Sequence, residues 1–247
     1  MKFFQAEAIV LRSRPHREAD RVLILYSREH GKLRAVSYGS ARPTSRKRGP
    51  GQPFCRSRFY LVRGIEAHRV DQAELLERFP AVEQAPALFG AASYFTELVD
   101  AFTREEVPNP KLYYLLVHSL RLLGKAETSL LCRAFELRLL ILTGFGPELS
   151  VCTLCRRNLP DSNRVAFSPE SSGLLCSACA EKSRAIQVGP GTVKVLRYFA
   201  VGSLAQVLTT KVAPVTEREL YAILTETVAV HLGYRPQALS FLERLGG

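Results

Sequence analysis

From the start of the chain to about residue 77, apolar and polar positions alternate in short runs. In "QAEAIVLRSR" Ala6, Ala8 and Val10 recur at every second position. "DRVLILYS" is a short β-prone apolar run, and "EHGK" (Glu29 to Lys32) is a tight turn into "LRAVSYGS". "FCRSRFYLVRG" and "IEAHRVDQAEL" follow. A period of two between compact turns predicts strands. Five strands in about 75 residues predict an OB-fold, a partly open barrel that often binds oligonucleotides.

From about residue 80 the apolar period lengthens to 3.6, and the pattern predicts helices. "VEQAPALFGAASYFTELVDAFT" reads as one. "NPKLYYLLVHSLRLLG" opens with Asn109 as N-cap and Pro110 at the first helical position, and Gly124 can end it. "AETSLLCRAFELRLLILTG" is strongly helical and stops at Gly144. "GPGTVK" (Gly189 to Lys194) lacks the Walker A spacing and reads as a turn entering a helix. Thr216 and Glu219 form a capping-box pattern ahead of "LYAILTETVAVHLG", and "PQALSFLERL" is a last short helix. Residues 150–185 interrupt this region and lack helical periodicity. The expected fold class is therefore α+β. An OB-fold barrel spans 1–79, and a helical domain spans 80–247 and carries an insertion at 150–185.

Charge sharpens this picture. The chain has 247 residues and a net charge of +11, but residues 1–80 carry 17 Lys and Arg against 8 Asp and Glu. From Lys32 to Arg63 there is no acid at all. Within that stretch "GSARPTSRKRGPGQPF" reads as a floppy cationic loop between the third and fourth strands. Like charges held close repel, so the arrangement points to a polyanion. Candidate DNA-contacting residues are Arg12, Arg14, Arg17, Arg34, Arg42, Arg46, Lys47, Arg48 and Arg56, with Arg21 and Arg58 in the same field. Tyr26, Tyr38, Phe54, Phe59 and Tyr60 interleave them. Cations tracking phosphates beside rings that stack bases are the recipe for single-strand binding. For each ring taken singly, a place in the core is the default.

The six cysteines change the picture again. "CTLC" (Cys152, Cys155) and "CSAC" (Cys176, Cys179) are paired knuckles with zinc spacing. Four thiolates close a tetrahedral shell and leave no position for water, so one structural zinc per chain is expected. Two disulfides or four unrelated buried cysteines are the alternatives. The start of the chain lacks a signal-peptide core, no run is long enough to span a bilayer, and a reducing, cytoplasmic setting follows. Cys55 and Cys132 read as packing residues. No HExxH, paired carboxylates or partnered histidine stands out, so no enzyme is expected, and His118 reads as a packed residue in an apolar helix. The residues alone leave DNA binding, RNA or ribosome binding, and an unrecognised nuclease open.

Particular stretches resemble the RecO family of recombination mediators. They are Ser13-Arg14-Pro15, Glu18, Gly31-Lys32, Gly39, Ser45-Arg46 and Gln52-Pro53-Phe54, with "RAFELRLLILTGFGPELSVC" and "HLGYRPQALSFLERL" further on. The likeness covers essentially the whole chain, zinc insertion included. One departure is Pro236-Gln237-Ala238, where a more basic segment is expected. The resemblance implies a non-enzymatic, nucleoid-associated DNA-repair protein that binds single- and double-stranded DNA and anneals strands. It also implies work with RecR, loading a recombinase onto coated single strands, and engagement of the acidic tail of the single-strand-binding protein. For the tail, the family points to Arg133, which precedes "FEL" by two positions. Phe135 and Arg138 of the same helix complete an apolar pocket with a cationic lip.

Overall fold

Strands β1 (Phe3–His16), β2 (Asp20–Ser27), β3 (Gly31–Ser37), β4 (Arg56–Val62) and β5 (His68–Glu77) close into a barrel in the order β1-β2-β3-β5-β4. This is the expected OB-like architecture, seen in a computed structural model that describes residues 2–159 and 165–245. All neighbouring pairs are antiparallel except β3 and β5, whose short parallel contact closes the barrel. The interior is filled by Ala6, Ala8, Val10, Leu23, Leu25, Leu33, Ala35, Phe59, Leu61 and Val70. Small alanines on β1 facing leucines on β2 and β3 let so narrow a barrel pack without voids.

A bulge in β1 decides which residues face out. Val10 pairs with Leu25, but Arg12 pairs with Ile24, so Leu11 is the extra residue. Strict alternation from Ala6 through Val10 would carry Arg12 and Arg14 into the barrel. The bulge reverses the parity, as one inserted residue must. Ser13 then lies opposite the buried Leu23, while Arg12 and Arg14 lie opposite Ile24 and Val22.

The chain divides into two compact units, Met1–Arg121 with Phe241–Gly247, and Leu122–Ser240. The first holds the barrel, a 3-10 turn at Pro80–Glu83, and helices α1 (Pro86–Phe102) and α2 (Pro110–Leu122), the last residue apart. α1 begins later than periodicity suggests because Pro86 occupies its first turn. Asn109 caps α2 as expected, its Oδ1 accepting from the Leu112 N–H at 3.1 Å. His118 is not packed. It lies with Lys111, Tyr114 and Arg121 on the exposed stripe of α2, opposite the buried Leu112, Leu116 and Leu120. Its neighbours in sequence are apolar, but its face is not.

The second unit holds α3 (Thr128–Leu142), α5 (Pro190–Val201) and α6 (Pro214–Leu232). Between α3 and α5 stand a three-stranded sheet and a single turn, α4 (Ser177–Ala180). The sheet orders β7 (Gly173–Leu175), β6 (Val165–Ser168) and β8 (Ile186–Val188). A final helix, α7, spans Gln237–Leu245. Glu127 caps α3 by accepting from the Ser129 and Leu130 N–H groups at 2.9 and 2.6 Å. The capping box at Thr216 and Glu219 does not form. α6 starts at Pro214, and Glu219 accepts instead from the Gly189 N–H at 2.9 Å and from the Thr192 hydroxyl. It thus serves the first turn of α5, a neighbouring helix whose orphan donors have no cap of their own. Among the described residues no helix is long and apolar enough to cross a membrane.

Candidate nucleic-acid interface and metal centre

The basic stretch between β3 and β4 is a chain of consecutive turns and not the floppy loop its composition predicts. N–H groups of Arg42, Ser45, Arg48, Gly51 and Gln52 donate to the carbonyls of Gly39, Arg42, Ser45, Lys47 and Gly49 at 3.1–3.3 Å. Side chains pin it at both ends. The Ser40 hydroxyl donates to the Ser37 carbonyl at 2.7 Å, and the Ser57 hydroxyl donates to the Pro50 carbonyl at 2.9 Å. Gly39, at φ 66°, takes the left-handed conformation that opens the series. Composition missed this because serines and glycines supply turn hydrogen bonds as readily as disorder.

The candidate cations separate into two sets. Arg14, Arg17, Arg34, Arg42, Arg46 and Arg48 are exposed, and among the described residues none meets a carboxylate. Lys47 is half-buried, its ammonium 3.5 Å from the Val70 carbonyl. Arg12 and Arg56 are committed elsewhere. Arg12 Nη2 lies 2.8 Å from Asp100 Oδ2 on α1, and Lys32 shares that carboxylate at 3.1 Å. Arg56 reaches Glu7 at 2.6 Å, Glu77 at 2.9 Å and the Tyr113 hydroxyl at 3.2 Å. Such a guanidinium, hydrogen-bonded on several sides, holds strands and helix together and has little left for a phosphate. Of the interleaved rings, Tyr26 and Phe59 are fully buried, whereas Tyr38 and Tyr60 are 47% and 39% exposed. Sequence pattern does not single out Arg69 or Arg78, which are also exposed. An isolated cation at a strand end carries no local signal. Only the packing of the turns shows that Arg78 stands beside Gly49, where an added Cβ would be 3.4 Å from its Nη2.

The Arg56 cluster makes stability depend on pH. Burial opposes ionisation of Glu7, but hydrogen bonds from Arg56 and Tyr113 outweigh it and hold the carboxyl below its ordinary 4.5. Glu77 is lowered chiefly by its hydrogen bond from Arg121, with Arg56 adding to it against burial. A lowered folded-state pKa contributes stability above the unfolded value and loses it as pH falls through the folded one. Urea unfolding is therefore expected to show stability falling from about pH 4.5 downward, and less steeply in Glu7→Gln. An acid limb identical in both proteins would remove the cluster from that role.

The four knuckle cysteines converge. The sulfurs of Cys152, Cys155, Cys176 and Cys179 all lie within 4.8 Å of one another, and Cys155 and Cys176 are 3.7 Å apart. Four sulfurs at about 2.3 Å from a central ion stand about 3.8 Å apart, so the donor set fits a tetrahedral metal. None of the four is in a disulfide. The first knuckle is closed by the Arg156 N–H donating to the Cys152 carbonyl at 2.9 Å, with Arg156 left-handed at φ 60°. The second sits on the first turn of α4, where the Cys179 and Ala180 N–H groups donate to the Cys176 carbonyl. Burial opposes ionisation of Cys152, but backbone N–H groups of Cys155, Cys176 and Leu154 draw its thiol down to about 6. Residues 160–164 of the insertion lie outside the described residues.

The helix expected to receive a peptide tail is interior. Arg133 is 3% exposed and Phe135 is fully buried. Arg133 Nη1 lies 2.9 Å from Glu136 Oε2, and its guanidinium stacks over the Tyr221 ring at 5.0 Å. Arg138 is half-buried and donates to the Gly202 carbonyl. These residues make their contacts within their own unit. The apolar residues of α3 cover nearly its whole circumference, which marks a central helix, but the two arginines mask that in the sequence.

Comparison with known proteins accords with the geometry. Residues 1–79 match the model for the recombination protein O N terminal region, and residues 83–239 match that for its C terminal region. The DNA repair protein RecO of Desulforudis audaxviator is 43% identical over 247 residues, covering 100% of this chain and 98% of its own length. That of Pelotomaculum thermopropionicum is 40% identical, covering 100% and 96%. That of Desulforamulus reducens is 38% identical, covering 99% and 96%. With the barrel, the helical unit and the four-cysteine cluster all in place, the chain belongs to the RecO family of DNA repair proteins.

Proposed function

We propose that the protein is a non-catalytic mediator that binds single- and double-stranded DNA, anneals complementary strands and helps load a recombinase onto coated single strands. The observation that carries this reading is the exposed set Arg14, Arg17, Arg34, Arg42, Arg46 and Arg48, which meets no carboxylate among the described residues. An ordinary solvated face mixes signs, whereas a face that neutralises phosphates does not. Phosphate contacts position a strand without reading its bases, which suits annealing of any sequence. In this reading the metal is zinc, one per chain, and structural. Work with RecR and with the acidic tail of the single-strand-binding protein is supported by family membership. Arg133, Phe135 and Arg138 then support the helical unit from within. Action on DNA places the protein in the cytoplasm, at the nucleoid.

Annealing of complementary oligonucleotides by purified protein tests the reading. The expected result is a rate increase that falls steeply with salt. DNA and RNA of equal length compete for the same protein in a second arm, and preference for RNA would favour a ribosome- or RNA-binding role. Incubation of labelled DNA with magnesium or manganese is expected to leave it intact, and cleavage would overturn the non-catalytic assignment.

A further inference from the structure

Beside the basic turns lies a cleft of about 390 Å³ that phosphate binding does not use. Its floor is apolar and buried, made by Cys55, Phe79 and Val82. Its walls are two rings, Phe54 and Phe89, edge to face with centroids 5.4 Å apart. Its rim carries Gln52, Arg78 and Glu83. The basic turns run directly into it. Gln52 Nε2 donates to the Arg48 carbonyl at 3.2 Å, and Gly49 stands beside the Arg78 guanidinium.

Two features go beyond ordinary packing. Phe54 is held at φ 66°, a conformation that costs a bulky residue and persists only where its surroundings over-determine it. Here β1 does so. The Phe54 N–H donates to the Val10 carbonyl at 2.8 Å, and the Val10 N–H donates to the Cys55 carbonyl at 3.0 Å. The second feature is Phe89, a large ring in the open first turn of α1 that leaves 49% of its surface exposed.

Resting on the DNA-binding reading above, we propose that this cleft receives an unpaired nucleobase of the strand whose phosphates the basic turns hold. The half-open Phe89 ring supplies the stacking surface, with Phe54 standing perpendicular to bound it, and any base offers a π-face to such a ring. Arg78, next to Gly49, meets the phosphate of the inserted nucleotide. Gln52 and Glu83 offer acceptors to the exocyclic amines and ring N–H groups on base edges. The Glu83 carboxylate also decides between occupants. It accepts from the N–H groups of a base edge, donors that the apolar side chain at the end of an acidic peptide lacks. A base in duplex must first leave its stack, so the cleft gives single strands an advantage over duplex that phosphate contacts alone do not.

The test uses the full-length protein and an oligonucleotide carrying the fluorescent base 2-aminopurine. Stacking in the cleft is expected to change its emission, and Phe89→Ala is expected to abolish the change. Single-strand affinity should fall by roughly 5- to 150-fold, the range for one stacked base, while affinity for duplex of the same length stays put. Phe89 is half open, so the variant should fold, and unchanged duplex binding reports that it has. Arg78→Ala, which spares the rings, should lower affinity but keep the emission change. Equal single-strand affinity of wild type and Phe89→Ala overturns the inference. So does loss, in Phe89→Ala, of binding to an acidic peptide with an apolar end, which would make the cleft a protein-docking site. Wild-type protein that binds neither single strand nor duplex overturns the DNA-binding reading itself, and this inference with it.

Discussion

Replacing Arg42, Arg46 and Arg48 together with alanine is expected to cost about two to three decades of DNA affinity near 0.1 M salt. Each phosphate neutralised contributes about 0.9 to the salt slope on duplex and about 0.7 on a single strand. Three lost contacts lower the slope by about 3 and about 2, and affinities of mutant and wild type should converge toward 1 M salt. The loss should be similar across sequences, because phosphates carry no sequence. Folding should be spared. Among the described residues none of the three side chains meets a carboxylate, and the turns are held by backbone groups and by Ser40 and Ser57. Lys47 is left in place because its ammonium approaches the Val70 carbonyl. Salt titrations monitored by fluorescence anisotropy measure the slope. An unchanged slope in the triple mutant would make these arginines a solvated face and nothing more.

Loss of the metal is expected to have the other large effect, confined to the second unit. Cys152→Ser should release the ion, since Cys152 is fully buried and is one of only four converging sulfurs. Structural zinc in zinc-finger peptides binds with about 10–16 kcal/mol at neutral pH, and that energy is folding energy of the segment around it. The strands β6 to β8 are only three or four residues long, so the segment around the knuckles draws part of its order from the ion. The insertion should therefore become labile to protease and exchange its amide hydrogens quickly. The barrel belongs to the other compact unit, so DNA affinity should largely persist. Elemental analysis of wild type is expected to give one zinc per chain, falling to none in the mutant. Stable protein with four free thiols and no metal would refute the assignment.

The two predictions rest on features of different legibility. The four-cysteine cluster was readable in the sequence, because each knuckle is local. Two cysteines three residues apart converge through one tight turn, and only the meeting of the two turns needs the fold. The basic interface was readable as a region but not as a set of contacts. Nothing near Arg56 in sequence shows that Glu7 and Glu77 will surround it, since strand pairing brings β1 and β5 to either side of β4. The burial of Arg133 was hidden for a similar reason. A charge in an apolar helix reads as surface until the facing helix supplies Tyr221 and the helix itself supplies Glu136.

By itself the sequence determined the five strands, the change of period near residue 80, the helix stops at Gly124 and Gly144, the paired knuckles and the acid-free stretch. These are encoded by neighbours within a few positions, where alternation, capping and turn chemistry act. The tertiary structure alone decided the barrel order, with β5 between β3 and β4. It decided the bulge at Leu11 that turns Arg12 and Arg14 outward, and the assignment of Glu219 to another helix. It also decided which arginines meet no carboxylate among the described residues, and the cleft lined by Phe54 and Phe89. Each of these depends on residues distant in the chain. Their charges and shapes become partners only after burial of the core has fixed which surfaces meet.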